Sequence, residues 1–206
     1  MKALNRLVVL CAAGLGLPLA VVAAELPKVD LARAAEISGG RCALCHGAEG
    51  DSSSPLYPRL AGQHHQYIAK QLGDFKSGRR KSDTMNGMAQ DLTPDEMLAL
   101  GVYFEQKPTK PREARDADLA AVGRYIFHRG NDFSGVAACA GCHGEKGHGT
   151  EQLPRLAGQV PRYIEAQLKS FNTRARTNDN EIMHSIASKL TELEVKAVAL
   201  YISTLD

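Results

Sequence analysis

Outside two short motifs and an apolar N-terminus, the sequence has no cysteine. The five cysteines are Cys11, Cys42, Cys45, Cys139 and Cys142. No pair is left over for a structural disulfide, and no lone thiol for a nucleophile. An excess of charge is missing as well. Of the 25 Lys and Arg, Lys2 and Arg6 fall in the N-terminal segment, leaving 23 basic against 23 acidic side chains. A chain this balanced has no surplus cation with which to displace counterions from a phosphate backbone, so a nucleic-acid partner is excluded. Arg79-Arg80-Lys81 is the one tight basic cluster, and it reads as solvated surface. No stretch alternates apolar and polar residues as a strand would. The long uncharged run is confined to Leu7–Ala24. Its basic start, the breakers Gly14, Gly16 and Pro18, and the small residues Val22-Ala23-Ala24 predict a secretory signal over residues 1–24, cleaved before Glu25, rather than a membrane anchor. Cys11 would be discarded with it.

The four remaining cysteines form Cys42-Ala43-Leu44-Cys45-His46 and Cys139-Ala140-Gly141-Cys142-His143. A C-x-x-C-H run is the signature of covalent c-type haem attachment, in which two thiols bond one haem and the adjoining histidine ligates its iron. A redox dithiol or a zinc site also uses C-x-x-C, but neither requires a histidine directly after the second cysteine. The sequence therefore predicts two covalently bound haem c groups. Their attachment points are Cys42, Cys45, Cys139 and Cys142, and His46 and His143 are proximal ligands. Export agrees with this, because c-type haem is attached outside the bacterial cytoplasm.

The repeat extends well beyond these motifs. Pro58-Arg59-Leu60-Ala61-Gly62-Gln63 returns as Pro154-Arg155-Leu156-Ala157-Gly158-Gln159. Tyr67, Gln71 and Phe75 return as Tyr163, Gln167 and Phe171, and Leu92-Thr93 returns as Leu190-Thr191. A repeat this long implies two domains rather than a solenoid. We expect an N-terminal unit over residues 25–107, a proline-bearing linker over 108–116 and a C-terminal unit over 117–206. Each is small for an independent core, and a bound haem would supply an apolar plate to pack against. All predicted elements are helical: Leu31–Ile37 and Leu119–Phe127 ahead of the motifs, about His64–Phe75 and Arg162–Phe171 after them, and a final pair. That pair opens with the capping boxes Thr93-Pro94-Asp95-Glu96 and Thr191-Glu192-Leu193-Glu194. Their apolar faces carry Met97, Leu100 and Phe104, and Val195, Val198, Ala199 and Ile202.

Electron transfer requires an axial ligand on the second face of each iron, and a methionine there raises the potential. Met85 lies seven residues before Leu92 and Met183 seven before Leu190, so the two share a register. They are the candidate second ligands, with Met88 held in reserve and Met97 assigned to the core. His64 and His65 align with Val160 and Pro161, so they are read as surface or locally hydrogen-bonded residues. His128, His148 and His184 have no matched partner and read as polar surface. Pro58 and Pro154 are placed to offer carbonyls to the outer imidazole nitrogens. Arg59 and Arg155 are candidate partners for haem propionates.

Taken together, the two C-x-x-C-H units, the P-x-L-A-G-Q turns, the Y-I-x-x-Q-L helices and the Met-x6-L-T stretches resemble the dihaem cytochrome c4 family over nearly the whole mature chain. The resemblance implies an all-α fold of two tandem class I cytochrome c domains related by a pseudo-twofold axis. It implies His/Met ligation by His46 with Met85 and His143 with Met183. It also implies a periplasmic electron carrier, often loosely membrane-associated, with a quinol-oxidising complex as donor and a terminal oxidase as acceptor. One departure is the longer approach to the second motif, Asn131–Ala138. Two other functions compete. A dihaem electron-accepting subunit of a flavocytochrome c sulfide dehydrogenase-type complex would carry a large apolar patch. A catalytic dihaem enzyme would need an open iron or a spare cysteine, and is disfavoured.

Overall fold

A computed structural model describes residues 26–206; the expected leader, and Cys11 with it, lies outside the described residues. Among the described residues there is no strand, only an isolated bridge between Asn131 and Val136. The first half contains α1 (Leu31–Ile37), α2 (Ala43–His46), α3 (His65–Lys76), α4 (Asp83–Ala89) and α5 (Pro94–Glu105). The second contains α6 (Ala117–Arg129), α7 (Ala140–His143), α8 (Pro161–Asn172), α9 (Ile182–Ala187) and α10 (Glu192–Thr204). No described helix is long and apolar enough to cross a membrane.

Local chemistry sets the helix ends. Asp30 and Asp116 cap α1 and α6 by accepting from the backbone N–H groups of Arg33 and Leu119. Both predicted capping boxes form, Thr93 with Glu96 and Thr191 with Glu194. Each box glutamate also tethers the other half of its unit: Glu96 accepts from Arg33 at 3.0 Å and Glu194 from Asn131 at 2.7 Å. Pro161 occupies the first turn of α8, where a missing N–H costs nothing.

Each half has its own apolar cluster. In the first, Ile37, Ile68, Phe75, Met97, Leu100 and Phe104 pack together; in the second, Ile126, Phe127, Ile164, Phe171, Val198 and Ile202 do so. Met97 is buried core, as its register predicts. The helix pair α6/α10 approaches so closely that a Cβ on Gly123 would lie 1.9 Å from the Ala197 carbonyl oxygen. Gly101 has the same role between α5 and α3, against the His65 carbonyl.

The approach to each haem motif differs. In the first half α1 runs on through a π-helical turn, Ser38–Cys42, directly into the motif. In the second, α6 stops at Gly130 (φ 72°), and the loop pinned by the Asn131–Val136 bridge leads to Cys139. This is the predicted departure, and it leaves Phe133 fully exposed.

The two halves meet across reciprocal contacts. Gln63 and Gln159 each bind the backbone of the opposite P-R-L-A-G-Q turn. The helix-free stretch 106–116 lies against both halves: the Lys110 carbonyl accepts from Arg59, Thr109 from Arg155, and the Arg112 N–H donates to the Ser203 carbonyl.

Candidate haem sites and the interface between them

In each half the motif ends in a single helical turn whose last residue is the histidine, and this turn buries the imidazole. His46 and His143 are each 7% exposed. His46 Nδ1 donates to the Pro58 carbonyl at 2.9 Å and His143 Nδ1 to the Pro154 carbonyl at 3.1 Å. The P-R-L-A-G-Q turn delivers those carbonyls in both halves. It is fastened by Leu60 and Ala61 N–H to the Gly50 carbonyl, and by Leu156 and Ala157 N–H to that of Gly147. With Nδ1 fixed as donor, Nε2 is left with its lone pair, and it makes no hydrogen bond among the described residues. That is the tautomer an iron ligand needs. Burial holds both imidazoles below their ordinary pKa, against the opposing effect of the proline carbonyls.

All four thiols are unpaired. Burial raises the Cys42 thiol and pushes Cys139 up to about 11. A redox dithiol depends on the opposite shift, so the structure argues against that use. Cys42 and Met85 pack against the first apolar cluster, and Cys139 and Met183 against the second. The methionines ride on the short helices α4 and α9, positioned in part by side chains. Met85 N–H is capped by Ser82 at 3.2 Å and Met183 N–H by Asp179 at 2.6 Å. Met88, the reserve candidate, is 44% exposed.

Asn86 and His184 follow the two methionines and do the same work. Asn86 donates to the Phe75 carbonyl and His184 to that of Phe171 at 3.0 Å. His184 therefore has a partner in the repeat after all, of a different residue type, which is why comparing residue types alone misses it. His65 bonds Glu105, and His64 reaches the His148 carbonyl in the other half. His128 is half-buried between Glu145 and Tyr201 rather than free at the surface.

The reading of Arg80 as solvated surface is wrong. Arg79 and Lys81 are exposed, but Arg80 is 8% exposed, as is its repeat partner Arg176. Arg80 donates to Gln71, Tyr163 and Gln167; Arg176 donates to Gln167, Tyr67, Gln71 and Asn178. The two forks thus share acceptors from both halves, and each guanidinium stacks on its own phenylalanine, Phe75 or Phe171. Every one of those acceptors is neutral. Burial would raise the Tyr163 pKa, yet the adjacent positive charges of Arg80 and Arg176 lower it. Asp179 offsets part of the charge on Arg176, whereas the hydrogen-bond partners of buried Arg80 are all neutral, an arrangement that leaves room for a further anion. Arg59, by contrast, is committed to Asp51 at 2.8 Å and to the Lys110 carbonyl, while the Nε of Arg155 is buried without a partner.

These residues fit a haem in each half. The thiols are unpaired, the imidazoles are oriented with Nε2 unspent, a thioether lies against the same apolar cluster, and the buried Arg80 guanidinium has only neutral hydrogen-bond partners.

The cytochrome c family profile matches residues 31–129 and again 127–206. Cytochrome c4 of Thiocapsa roseopersicina is 41% identical over 188 residues, covering 89% of this chain and 97% of the relative. A protein of Thiomonas intermedia named thiosulfate dehydrogenase electron acceptor is 38% identical over 175 residues, covering 82% of this chain and 81% of that one. The crystal structure of reduced recombinant cytochrome c4 from Pseudomonas stutzeri superposes with a TM-score of 0.82 at 33% identity, covering 87% of this chain and all of that one.

Proposed function

The chain belongs to the dihaem cytochrome c4 family of electron-transfer proteins, with two tandem cytochrome c domains and two covalently bound haem c groups, and we propose that it is a periplasmic carrier of single electrons rather than an enzyme. Its donor in this reading is a quinol-oxidising complex and its acceptor a terminal oxidase, with peripheral association at the membrane. Residues 1–24 act as the export signal. Residues 25–107 and 117–206 fold as units joined by 108–116.

The observation that carries this reading is a duplicated arrangement: in each half a buried imidazole bonded to a proline carbonyl, two unpaired thiols and a methionine against the same apolar cluster. When bound, haem iron supplies a one-electron change of valence. His46 and Met85 would hold one iron, and His143 and Met183 the other. The chain orients each imidazole through a proline carbonyl and closes both sites with aliphatic and phenylalanine side chains. An iron so held on both faces would have no open position for a substrate and would serve only to change valence. Arg80 and Arg176 join Arg155, whose Nε is buried and unpartnered, as the proposed partners of the haem carboxylates, while Arg59 is committed to Asp51.

The optical spectrum of the oxidised protein tests the assignment. Met85→Ala and Met183→Ala are each expected to remove about half of the sulfur-to-iron charge-transfer band and to lower one potential. Retention of the full band after Met85→Ala would transfer the role to another residue, with Met88 the first alternative.

The Thiomonas relative supports a second reading, in which this chain accepts electrons from a thiosulfate-oxidising dehydrogenase. Stopped-flow reduction by such an enzyme, compared with reduction by a quinol-oxidising complex, separates the two.

A further inference from the structure

The peptide group that orients each proximal histidine is held from the opposite half of the molecule. The Pro58 carbonyl accepts from His46 Nδ1 at 2.9 Å. The N–H of the same peptide group, that of Arg59, donates to Oε1 of Gln159 at 2.8 Å. In the second half the Pro154 carbonyl accepts from His143 Nδ1 at 3.1 Å, and the N–H of that peptide group, from Arg155, donates to Oε1 of Gln63 at 2.8 Å. Each glutamine then closes a ring, donating Nε2 to the carbonyl of the same arginine at 2.9 Å. Both glutamines are buried, at 6% and 7% exposure, and each Oε1 also takes the N–H of the residue that follows it.

A peptide is one conjugated unit. An acceptor on its N–H draws electron density toward its carbonyl oxygen, and hydrogen bonds in such a chain strengthen one another. A better acceptor at Nδ1 makes Nε2 a more basic ligand, which favours the oxidised metal. We infer that Gln63 and Gln159 tune the two haems crosswise. Gln63, in the first half, sets the basicity of His143, and Gln159, in the second, sets that of His46. They are positioning residues that act through a peptide and an imidazole. Docking of the halves and the two potentials are therefore one variable: loosening the interface weakens both imidazole–carbonyl bonds. This inference rests on the reading of His46 and His143 as iron ligands.

The test uses the dihaem protein with Gln63→Met and, separately, Gln159→Met. Methionine keeps the volume and removes both hydrogen bonds to the opposite turn, together with the one from the N–H of the next residue. Two readouts are followed: the Nδ1–H proton resonance of each histidine in the reduced protein, and the reduced-to-oxidised ratio of each haem at fixed solution potential, resolved by its own methyl resonances. Gln63→Met is expected to move the His143 Nδ1–H resonance upfield. It should raise the reduced-to-oxidised ratio of the haem on Cys139 and Cys142 by about threefold to tenfold, less than the roughly tenfold to hundredfold effect of a group bonded directly to the ligand, because the glutamine acts one group further out. His46 and its haem should be unmoved, and Gln159→Met should give the mirror result. A glutamine that only glues the halves together would lower stability without this crossed pattern. Shifts confined to the haem of the mutated half, equal shifts at both, or none at either would overturn the inference. If either methionine variant fails to fold, Gln63→Asn and Gln159→Asn keep the amide but fall one methylene short, and the same crossed pattern is required of them. Ring-current-shifted imidazole C–H resonances of His46 and His143 in the reduced, unmutated protein with no crossed shift in the variants sink this inference alone; absence of those shifted resonances from the unmutated protein sinks the histidine assignment and this inference with it.

Discussion

Replacing Arg80 by methionine keeps most of the side-chain volume and deletes one of the two buried guanidiniums. The variant loses donations to Gln71 at 2.6 Å, Tyr163 at 2.9 Å and Gln167 at 2.9 Å. Gln71 and Gln167 keep Arg176 as a donor, at 3.1 and 2.8 Å, so only the Tyr163 hydroxyl is stripped of its partner. The cost is accordingly nearer one full charge-assisted hydrogen bond than three, about 2–3 kcal/mol. For a chain of this size that is a fall in Tm of roughly 5–10 °C. With Arg80 paired to a haem carboxylate as proposed, removing its charge would also favour the oxidised form, so at least one potential should fall. Arg80→Lys would restore the charge without the planar fork, recovering part of the potential but little of the stability. Denaturant unfolding of the haem-loaded protein, paired with a redox titration, reads both effects. Stability within about 0.5 kcal/mol of the parent, with both potentials unchanged, would refute the assignment of Arg80 to an anion at the interface.

Gly123→Ala would force a Cβ into the Ala197 carbonyl oxygen, 1.9 Å away, and should destabilise the second half by about 3 kcal/mol, read by chemical unfolding. Thr191→Ala removes the cap of α10 and should cost about 1 kcal/mol in the same assay. Acid should loosen the interface through Asp74. Its side chain is 2% exposed, and burial alone would raise its pKa, but Lys70, Asn178 and Arg79 together hold it below the usual 3.8. A carboxylate with a depressed folded pKa contributes stability that is present above its unfolded value and lost as the pH falls through the folded one. Asp74→Asn should therefore be less stable than the parent at neutral pH, with the difference narrowing below about pH 4 in acid titrations followed by circular dichroism.

The parts of this fold that a residue pair can announce locally were legible in the sequence. Thr93 with Glu96 and Thr191 with Glu194 predict helix starts that the structure contains, and Pro58 and Pro154 predict carbonyls that the imidazoles find. The short helices α4 and α9 were not foreseen. Asp83-Thr84-Met85-Asn86-Gly87-Met88-Ala89 is too short and too polar to show a period, and Ser82 makes it a helix by capping the Met85 N–H. The register of the two methionines, rather than any helical signal, is what singled them out. Arg80 was misread for a different reason. Flanked by Arg79 and Lys81 it looks like a solvated run, and its burial depends on Tyr163 and Gln167 some ninety residues away in the sequence. Its alignment with Arg176, at the same offset that joins Tyr67 to Tyr163, was the one sequence signal that could have found it.

That offset also explains why the repeat is strictest where it is. Haem attachment needs only the two C-x-x-C-H turns, yet Pro-Arg-Leu-Ala-Gly-Gln recurs letter for letter while the approaches to the motifs differ in length and conformation. In a pseudo-twofold interface each half must present both the glutamine that reaches and the peptide that receives. A change in either partner therefore leaves a buried amide unsatisfied at the opposite site, a cost of about 1–3 kcal/mol per group. The glycine is bound by the same logic. A Cβ on Gly62 or Gly158, each at positive φ, would strike Thr109 or Arg59 at the seam. The approach to each motif faces no such constraint, since its hydrogen bonds and ion pairs among the described residues stay within its own half, and there the second unit carries the Asn131–Ala138 loop. Identity within this chain therefore tracks the contacts that cross between the haem sites as closely as the residues assigned to hold either haem.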